Sequence, residues 1–369
     1  MRISPLKSRL AAAGASFAGR CGVEICAKCA EIETEYRFVR DAAAVTDFSF
    51  MQTYRIPEAA AIDFLDTLLA GNVAKVRFGR MLHTFLADSN GFLVADCYVA
   101  NNDDEFLLVC ESLADDASMN EILQRHGAKD AGIEDLSQSH AVIGIDGYKA
   151  WAVVKELFGA DVLGLPYLSI EKYPFESGTV RLVRAGKTSE FGYLLIVPNE
   201  LAVPLYEKAA ALAAAQGGGR IGVEVHNTLR LEGRFFNIFA EGAAVKDPLV
   251  LGLQWMIDFD KEAFDGRDAI LDRRAKGVAE KIIGVRAGGG AEDFAPGAVL
   301  YDGAAQVGRI VASCYSHVLG ARLGLALFPR DIAYAGLSFH LGKSDGAVVQ
   351  TISMPPIMPK SLTVKLDEI

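Results

Sequence analysis

One acidic residue interrupts an apolar segment of the sequence and is the first candidate for chemistry. Asp96 lies within Leu93–Val99, where it is the only charged side chain. A carboxylate in a buried strand is costly unless a partner or solvent compensates it. Because successive side chains of a strand point to opposite faces, two interpretations stay open: Asp96 faces solvent, or it is a functional group held in an apolar environment.

A second charged pair stands in Asn227–Gly233, where Arg230 and Glu232 alternate with leucines. A structural salt link is one interpretation of this pair, and a contribution to a ligand site is the other. Asn227 or Thr228 is expected to cap a helix here, because short polar side chains accept hydrogen bonds from the free backbone N–H groups at a helix start.

Three cysteines, Cys21, Cys26 and Cys29, have the spacing of three ligands in a plant-type iron–sulfur loop. Such a loop needs a fourth thiolate, and the next cysteine, Cys97, is far downstream on a predicted strand. The neighbouring residues also lack the glycine and serine richness of a cluster loop. No two of the six histidines are three or four residues apart. We therefore expect ordinary thiols and no metal site.

The composition excludes several classes of protein. The chain has 369 residues, of which 51% are hydrophobic and 23% charged, with a net charge of −10. Such an acidic chain is a poor general binder of nucleic acid or anionic membranes, and no apolar run approaches the roughly 18 residues of a transmembrane helix. Six cysteines are too few for a disulfide scaffold, and Met1–Cys21 lacks the pattern of a signal peptide. We expect two to three domains, a cytoplasmic location, and no nucleic acid or membrane partner.

Helices and strands alternate along the chain, which favours an α+β fold. Asp96 is predicted on a hairpin of Met81–Leu86 and Phe92–Val99, with Phe106–Glu111 as a third strand. A second hairpin is expected around residues 186–191. The strands of this hairpin are predicted at 180–185 and 192–197, and a further buried strand at 140–145. Helices are predicted at 57–70, 114–126, 148–158 and 200–216.

The last quarter of the chain changes character. Short strands separated by turns with Gly, Pro or Asp predict a small antiparallel β-barrel. They are expected at 282–285, 299–300, 306–312, 323–328 and 347–352. A boundary near Gly277 divides the chain into residues 1–276, which we expect to hold two interleaved α+β domains, and residues 277–369, the barrel domain.

Several segments, taken together and in order, resemble the glycine-cleavage T-protein (aminomethyltransferase) superfamily, which also contains folate-dependent demethylases. Thr228–Glu232 matches its T-L-R-L-E motif, and Gly91–Val99 resembles its G-G-I-x-D-D-L-I-V strand. Each match is weak alone, but the set runs from residue 4 to beyond residue 326. The other matching segments are Glu35–Arg40, Asp47–Met51, Ser189–Tyr193, Leu251–Trp255, Phe264–Ala269 and Gly308–Ala326.

The resemblance implies a three-domain cloverleaf around a central hole that holds tetrahydrofolate, with the α+β domains followed by the antiparallel barrel. It also implies a catalytic aspartate at the second acid of the D-D pair, which is Asp96 here, while the first acid is Ala95. An ionised carboxylate in a partly dry site stabilises a positively charged reacting centre. His83 stands where the family has a tyrosine, and histidine exchanges protons near neutral pH.

The positions that the resemblance assigns to folate contact depart from the family at several places. The pterin-recognising glutamate is Leu194 here, a tyrosine is Lys187, and an arginine is His226. Leucine cannot pair with the N–H donors of a pterin, and Glu190 is the candidate to replace that glutamate. The full set of expected cofactor-binding residues is Met51, Tyr98, Lys187, Glu190, Leu194, His226 and Arg230.

Three hypotheses on function follow from the resemblance. The first is a tetrahydrofolate-dependent one-carbon transferase acting on a small N-, O- or S-methylated molecule, with Asp96 orienting the reacting centre and Arg230, Lys187 or Arg267 meeting the anionic folate tail. The methyl or methylene donor is a small molecule, or the group arrives on a carrier protein. The second is an enzyme of the same fold whose site is rebuilt for a ligand other than folate. The third is a non-catalytic folate-fold regulatory protein.

Overall fold

The computed structural model describes residues 2–102, 105–112, 116–128, 131–288 and 291–366. The strands are β1 (Arg2–Ile3), β2 (Ser16–Arg20), β3 (Val23–Lys28), β4 (Ala44–Asp47), β5 (Gln52–Pro57), β6 (Met81–Ala87), β7 (Leu93–Asn102), β8 (Glu105–Glu111), β9 (Glu134–Asp135), β10 (His140–Asp146), β11 (Ser169–Phe175), β12 (Gly178–Arg184), β13 (Gly192–Pro198), β14 (Gly219–Ile221), β15 (Glu280–Ala287), β16 (Val299–Asp302), β17 (Ala305–Ser316), β18 (Ala321–Pro329), β19 (Ser338–Leu341) and β20 (Val348–Ile352). The helices are α1 (Lys7–Ala12), α2 (Ile32–Asp41), α3 (Glu58–Leu68), α4 (Asp116–Arg125), α5 (Ala150–Phe158), α6 (Asn199–Ala215), α7 (Val225–Gly233), α8 (Ala243–Val245) and α9 (Arg267–Lys276).

Two sheets, one mixed and one purely antiparallel, form the centre of the fold. One has the strand order β11-β12-β13-β10-β4-β14 and the other the order β6-β7-β8-β5-β9. Both predicted hairpins are confirmed, because β6 pairs with β7 and β12 with β13 in antiparallel fashion. A shared apolar core, which includes Met51, Tyr98, Val109, Leu194 and Ile196, lies between the facing sides of the two sheets. Alternation along each strand therefore directs every second side chain into this layer.

Helices cover the outer faces of the two sheets. α5 and α6 contribute Val153, Leu157 and Leu205 to a core on one sheet, and α3 and α4 contribute Leu65 and Met119 to a core on the other. The predicted helices 57–70, 148–158 and 200–216 are confirmed by α3, α5 and α6. Of the predicted helix 114–126, the structure shows α4, and residues 114 and 115 lie outside the described residues.

The C-terminal strands form a closed antiparallel barrel in the order β15-β18-β17-β16-β19-β20. This confirms the predicted barrel. β19 was not predicted from the sequence, and neither was the small N-terminal sheet of order β1-β3-β2. Both consist of short segments whose pairing partners are set by tertiary contacts rather than by local pattern. In the described part of the chain, no helix combines the length and the apolarity needed to cross a membrane.

The helix start predicted at Asn227 or Thr228 is wrong. Helix α7 begins at Val225, with Glu224 at the N-cap position, so both residues lie inside the helix. The backbone N–H of Glu224 donates to the carbonyl oxygen of Ala27 at the end of β3. A tertiary hydrogen bond, and not a capping side chain, therefore fixes the start of α7.

Candidate active site

The facing sides of the two sheets and helix α7 border a narrow cavity of about 20 Å³, which we call the inner cavity. Its lining combines apolar side chains with two acids, two basic side chains, a tyrosine and a histidine. The lining residues are Phe48, Met51, Tyr98, Glu111, Asp146, Ala185, Gly186, Lys187, Leu194, His226 and Arg230.

Asp96 is buried between the sheets and does not face solvent, so the solvent-facing interpretation is wrong. It shares the inward face of β7 with Tyr98 and Ala100, whereas Ala95 and Cys97 face the core under α3 and α4. Its carboxylate contacts two groups: Oδ1 lies 2.6 Å from His83 Nε2, and Oδ2 lies 2.5 Å from Lys187 Nζ. Burial opposes ionisation, but the charges and hydrogen bonds of Lys187 and His83 hold the pKa of Asp96 well below its usual range.

Glu111 is a site residue that the sequence did not reveal. In the β7–β8 register it stands directly opposite Asp96, and two like charges in this position repel each other. Lys187 Nζ lies between them, 2.5 Å from Asp96 Oδ2 and 3.1 Å from Glu111 Oε1. The ammonium group therefore allows two buried carboxylates to face each other. The available signal was an acid at the end of the apolar segment FLLVCE.

Arg230 completes this network from helix α7. Its NH1 and NH2 donate to Oε2 and Oε1 of Glu111 at 2.8 and 2.9 Å, a bidentate pair. Burial alone would raise the pKa of Glu111, but Arg230 and Lys187 lower it to about 2. We call the five residues His83, Asp96, Lys187, Glu111 and Arg230 the buried ion network.

Arg230 and Glu232 do not pair with each other. Glu232 points to a separate buried cluster, where its Oε2 accepts from Arg40 NH2 at 2.7 Å and its Oε1 from Ser316 Oγ at 2.5 Å. Tyr36 Oη also donates to it at 2.9 Å. Glu232 therefore links α2, α7 and the barrel, while Arg230 belongs to the inner cavity.

His83 lies next to Asp96, and neither residue is among those that line the inner cavity. Its ring stacks on Tyr98, with centroids 4.4 Å apart and planes at 28°, as the β6–β7 register places the two residues opposite each other. The exposed Trp255 contacts it edge-on at 5.3 Å. Because Asp96 is ionised, Nε2 of His83 carries the shared hydrogen and donates it, which leaves Nδ1 for other partners.

The other predicted cofactor-binding residues fall into two groups. Met51, Tyr98, Leu194 and His226 line the inner cavity with Lys187 and Arg230. Nε2 of His226 lies 3.1 Å from Thr46 Oγ1, and burial together with nearby Arg230 lowers the pKa of His226 to about 3. This imidazole is therefore neutral at physiological pH.

Glu190 lies away from the inner cavity. Its Oε1 and Oε2 accept hydrogen bonds from the backbone N–H groups of Lys360 and Ser361 at 3.2 and 2.8 Å, and Arg40 NH1 is 3.5 Å away. Its carboxylate therefore anchors the C-terminal segment against the second hairpin. Among the described residues, Glu190 is therefore not one of those that line the inner cavity.

A larger cleft of about 540 Å³, which we call the outer cleft, adjoins the inner cavity across helix α7. His226 and Arg230 face the cavity, while Asn227 and Leu231, one residue further along, face the cleft. Arg20 also lines the cleft, with its guanidinium 4.5 Å from the Phe239 ring centroid. The described residues offer it no carboxylate within ion-pair distance.

The three cysteines of the N-terminal segment are free thiols. Sγ atoms of Cys26 and Cys29 are 3.3 Å apart on and after β3, and burial raises the pKa of the Cys21 thiol. Within the described ranges, no group of three or more His, Cys, Asp or Glu side chains has the geometry to hold a metal ion.

Comparison of the sequence with known proteins finds one domain family and relatives that are aminomethyltransferases. The sequence profile of the GCVT N-terminal domain matches residues 6–261. An aminomethyltransferase of Thermoanaerobacter sp. (strain X514) is 28% identical over 309 residues, 83% of this chain and 83% of the relative. An aminomethyltransferase of Mycobacterium avium (strain 104) is 29% identical over 333 residues, 89% of this chain and 88% of the relative.

A solved structure shares the fold. The glycine cleavage system aminomethyltransferase T from Bartonella henselae superposes with a TM-score of 0.83 at 19% identity, over 97% of this chain and 98% of that one. This likeness confirms the predicted fold class, an α+β fold of the aminomethyltransferase type with a C-terminal antiparallel barrel.

Proposed function

Because the chain belongs to the family of the GCVT N-terminal domain, we propose that it is a tetrahydrofolate-dependent one-carbon transferase. In this proposal the enzyme acts in the cytoplasm and transfers a methyl or aminomethyl group to the folate. The donor is a small N-, O- or S-methylated molecule, or a carrier protein that bears the group. The observation that carries the proposal is the buried ion network around Asp96, which holds an ionised carboxylate and an oriented imidazole beside a cavity.

The residues present are compatible with tetrahydrofolate. The rings of Phe48 and Tyr98 and the side chains of Met51 and Leu194 offer apolar walls for a flat heterocycle. The buried carboxyl of Asp146 has acceptor capacity left for N–H donors. When bound, tetrahydrofolate supplies the amine nitrogen that accepts the one-carbon unit.

The protein's own part in the reaction is proton handling and orientation. Asp96 accepts from Nε2–H of His83 and thereby fixes both the tautomer and the ring orientation, so that Nδ1 is free to take a proton from the reacting molecule. Lys187 keeps Asp96 ionised by direct contact. Stacking on Tyr98 restricts rotation of the imidazole.

Arg20 is the residue that we propose for the anionic tail of the folate. Lys187 and Arg230, which the sequence suggested for this role, are neutralised by Asp96 and Glu111. Arg267 donates instead to the carbonyl oxygen of Lys261 and to Asp268. Arg20 lies against the outer cleft, and burial and nearby Arg230 lower its pKa, so an added anion there would restore a favourable charge balance.

A second candidate is an enzyme of the same fold that binds a ligand other than folate. Leu194 favours it, because leucine removes the carboxylate with which the family recognises the pterin. The ion network favours it as well, since both oxygens of Asp96 are already bonded within the protein. The two candidates differ in whether tetrahydrofolate binds at all.

Titration of the full-length protein with tetrahydrofolate under anaerobic conditions tests the proposal. We expect saturable binding with a dissociation constant of about 1–100 μM, the range of typical small-molecule sites. We also expect quenching of Trp255, because its ring contacts His83, which stacks on the cavity residue Tyr98. Calorimetry and tryptophan fluorescence measure the two effects independently.

The variant Trp255→Phe is the matched control for the fluorescence signal. It should lose the quenching but keep the calorimetric binding, since Trp151 lies on α5 outside the cavity. Absence of binding at about millimolar tetrahydrofolate would exclude the folate proposal and leave the rebuilt site. Binding without turnover of any of a panel of N-, O- and S-methylated donors would favour the regulatory protein.

Replacing Arg20 by glutamine is expected to weaken tetrahydrofolate binding by about 10-fold, the value of one charge-assisted hydrogen bond. A tetrahydropterin without the glutamyl tail should bind the variant and the parent protein within about twofold of each other. Calorimetry with both ligands measures the difference. Arg9→Gln, at an exposed position of α1, is the control, and equal weakening of both ligands by Arg20→Gln would contradict a role in tail binding.

A further inference from the structure

Asp146 is a buried acid that the proposed proton handling does not use. It ends strand β10, is 3% exposed and lines the inner cavity. In the described part of the chain, the one hydrogen bond that reaches its carboxyl comes from Thr188 Oγ1, at a long 3.5 Å. Buried polar groups are normally satisfied, so this carboxyl has acceptor capacity for a bound molecule.

The strand register places Asp146 beside Leu194. β10 and β13 are antiparallel, with Gly144 opposite Leu194 and Asp146 opposite Gly192. Residues two apart on a strand share a face, so the side chains of Asp146 and Leu194 are diagonal neighbours, and both line the inner cavity. A carboxyl group is therefore present on β10. It lies next to the position on β13 where the family has a glutamate and this chain has Leu194.

Two glycines leave the carboxyl accessible to the cavity. A Cβ added at Gly186 or Gly192 would lie 3.1 or 2.9 Å from Asp146 Oδ1, and 2.7 or 2.5 Å from the Cα of the other glycine. A side chain at either position would displace the carboxyl or cover it. Gly186 itself lines the cavity, so at this position backbone atoms without a side chain lie beside the carboxyl of Asp146.

We propose that Asp146 binds the edge of the ligand that presents two adjacent N–H donors, as in a 2-amino-substituted ring amide or an amidine. This inference rests on the proposed function, in which that edge belongs to the pterin of tetrahydrofolate. A carboxylate accepts two parallel N–H groups through a bidentate pair. The low dielectric around a buried carboxylate strengthens such a pair, and the buried Leu194 supplies an apolar wall beside it.

The protonation of Asp146 gives this site a recognisable pH dependence. Burial raises the pKa of Asp146 to about 7, against the opposing charge of Arg230. The pKa of His226 is about 3 and that of Glu111 about 2, so neither changes charge between about pH 5 and 8. The groups that face Asp146 around the cavity are Arg230 and His226 on α7, Lys187 and Thr188 in the hairpin turn, and Glu111 and Tyr98 on the other sheet.

Calorimetry with two probes, tetrahydrofolate and isocytosine, tests the proposal. Isocytosine carries the same pair of N–H donors without the rest of folate. For the parent protein we expect affinity to rise up to about 10-fold per pH unit below pH 7 and to level off above it, because the ligand binds the ionised carboxyl. Asp146→Asn should weaken both probes by about 10- to 100-fold above pH 7 and abolish this pH dependence.

The double variant Asp146→Asn/Leu194→Glu returns a carboxylate to the diagonal position on β13. We expect it to restore affinity to within about threefold of the parent, a recovery that a merely structural role of Asp146 would not produce. Asp47→Asn is the matched control, since Asp47 is equally buried on β4 of the same sheet but bonds Ser4 and Ser49. This control should leave both affinities unchanged.

The outcomes distinguish the proposed role of Asp146 from the proposed folate-dependent function. Binding of tetrahydrofolate by the parent and equally by Asp146→Asn would overturn the role of Asp146 while leaving the proposed function intact. Binding of isocytosine but not tetrahydrofolate, with loss in Asp146→Asn, would support the role of Asp146 and exclude folate. Binding of neither probe by the parent would overturn both.

Discussion

Replacing Asp96 by asparagine is expected to lower kcat for one-carbon transfer by about 100- to 10,000-fold, the range of a lost general acid–base contribution. The asparagine amide fills the same space and keeps an oxygen for Lys187, but its NH2 group faces Nε2 of His83, which lies 2.6 Å from Asp96 Oδ1. The imidazole then carries its hydrogen on Nδ1 and can no longer accept a proton there. The measurement is single-turnover formation of methyl- or methylene-tetrahydrofolate from a methylated donor, followed by mass spectrometry.

Two controls separate catalysis from folding in this experiment. Asp247→Asn breaks another largely buried ion pair, with Arg273 Nε 2.9 Å from Asp247 Oδ2, but lies outside the inner cavity. It should leave kcat within about twofold. His83→Gln should lose as much activity as Asp96→Asn, and the double variant should lose little more, because the two side chains act as one unit. Unchanged turnover in Asp96→Asn would remove both residues from the mechanism.

Replacing Glu111 by alanine is expected to lower the free energy of unfolding by about 3–5 kcal/mol, the loss typical of one partner removed from a buried ion pair. Arg230 would lose two hydrogen bonds and Lys187 one, while both cations stay buried. The change also leaves a cavity where the side chain was. Urea unfolding followed by circular dichroism measures the difference.

Glu134→Ala is the control for an exposed ion pair. Its Oε2 lies 2.7 Å from Arg55 Nε with both side chains largely exposed, so it should change the free energy of unfolding by less than about 1 kcal/mol. The double variant Glu111→Leu/Arg230→Met removes a charge of each sign and should recover most of the loss. A Glu111→Ala protein as stable as the parent would show that the network does not support the fold.

The same variant has a pH dependence whose sign follows from the pKa of Glu111. Because its pKa is lowered from 4.5 to about 2, the folded state binds fewer protons than the unfolded state between these values. The stabilisation by Glu111 is complete above pH 4.5 and disappears as the pH falls towards 2. The difference in stability between the parent and Glu111→Ala should therefore shrink in acid, and a difference that stays constant would contradict the ionised state of Glu111.

The hairpins and the barrel could be predicted from the sequence because their signals are local. The alternation in Met81–Leu86 and Phe92–Val99, and the short strands after residue 280, depend on neighbours a few residues away. The start of α7 was mispredicted because the hydrogen bond that fixes it is accepted by the carbonyl oxygen of Ala27, nearly 200 residues earlier in the chain. Capping rules describe side chains near a helix start and contain no information on such a contact.

The residues of the site also fall into those that a local sequence signal reveals and those that only tertiary contacts reveal. Asp96 was found because a charge inside an apolar strand is costly and draws attention, whereas Glu111 ends its strand and resembles an ordinary surface acid. Its role follows from the register that places it opposite Asp96 and from Lys187, 76 residues away in the sequence. Glu190 was expected at the cofactor, but Lys360 and Ser361 at the far end of the chain engage its carboxylate.

The sequence by itself determined the family, the α+β fold with its barrel, and the placement of an acid, a histidine and a lysine on two hairpins. Only the tertiary structure decided that these groups meet in one buried ion network, and that Asp146 stands diagonal to Leu194 on the cavity face. The physical reason is that the strength of a charge–charge contact depends on distance and burial. Both are set by strand register and sheet packing, which bring together residues that are 91 and 119 positions apart in the chain.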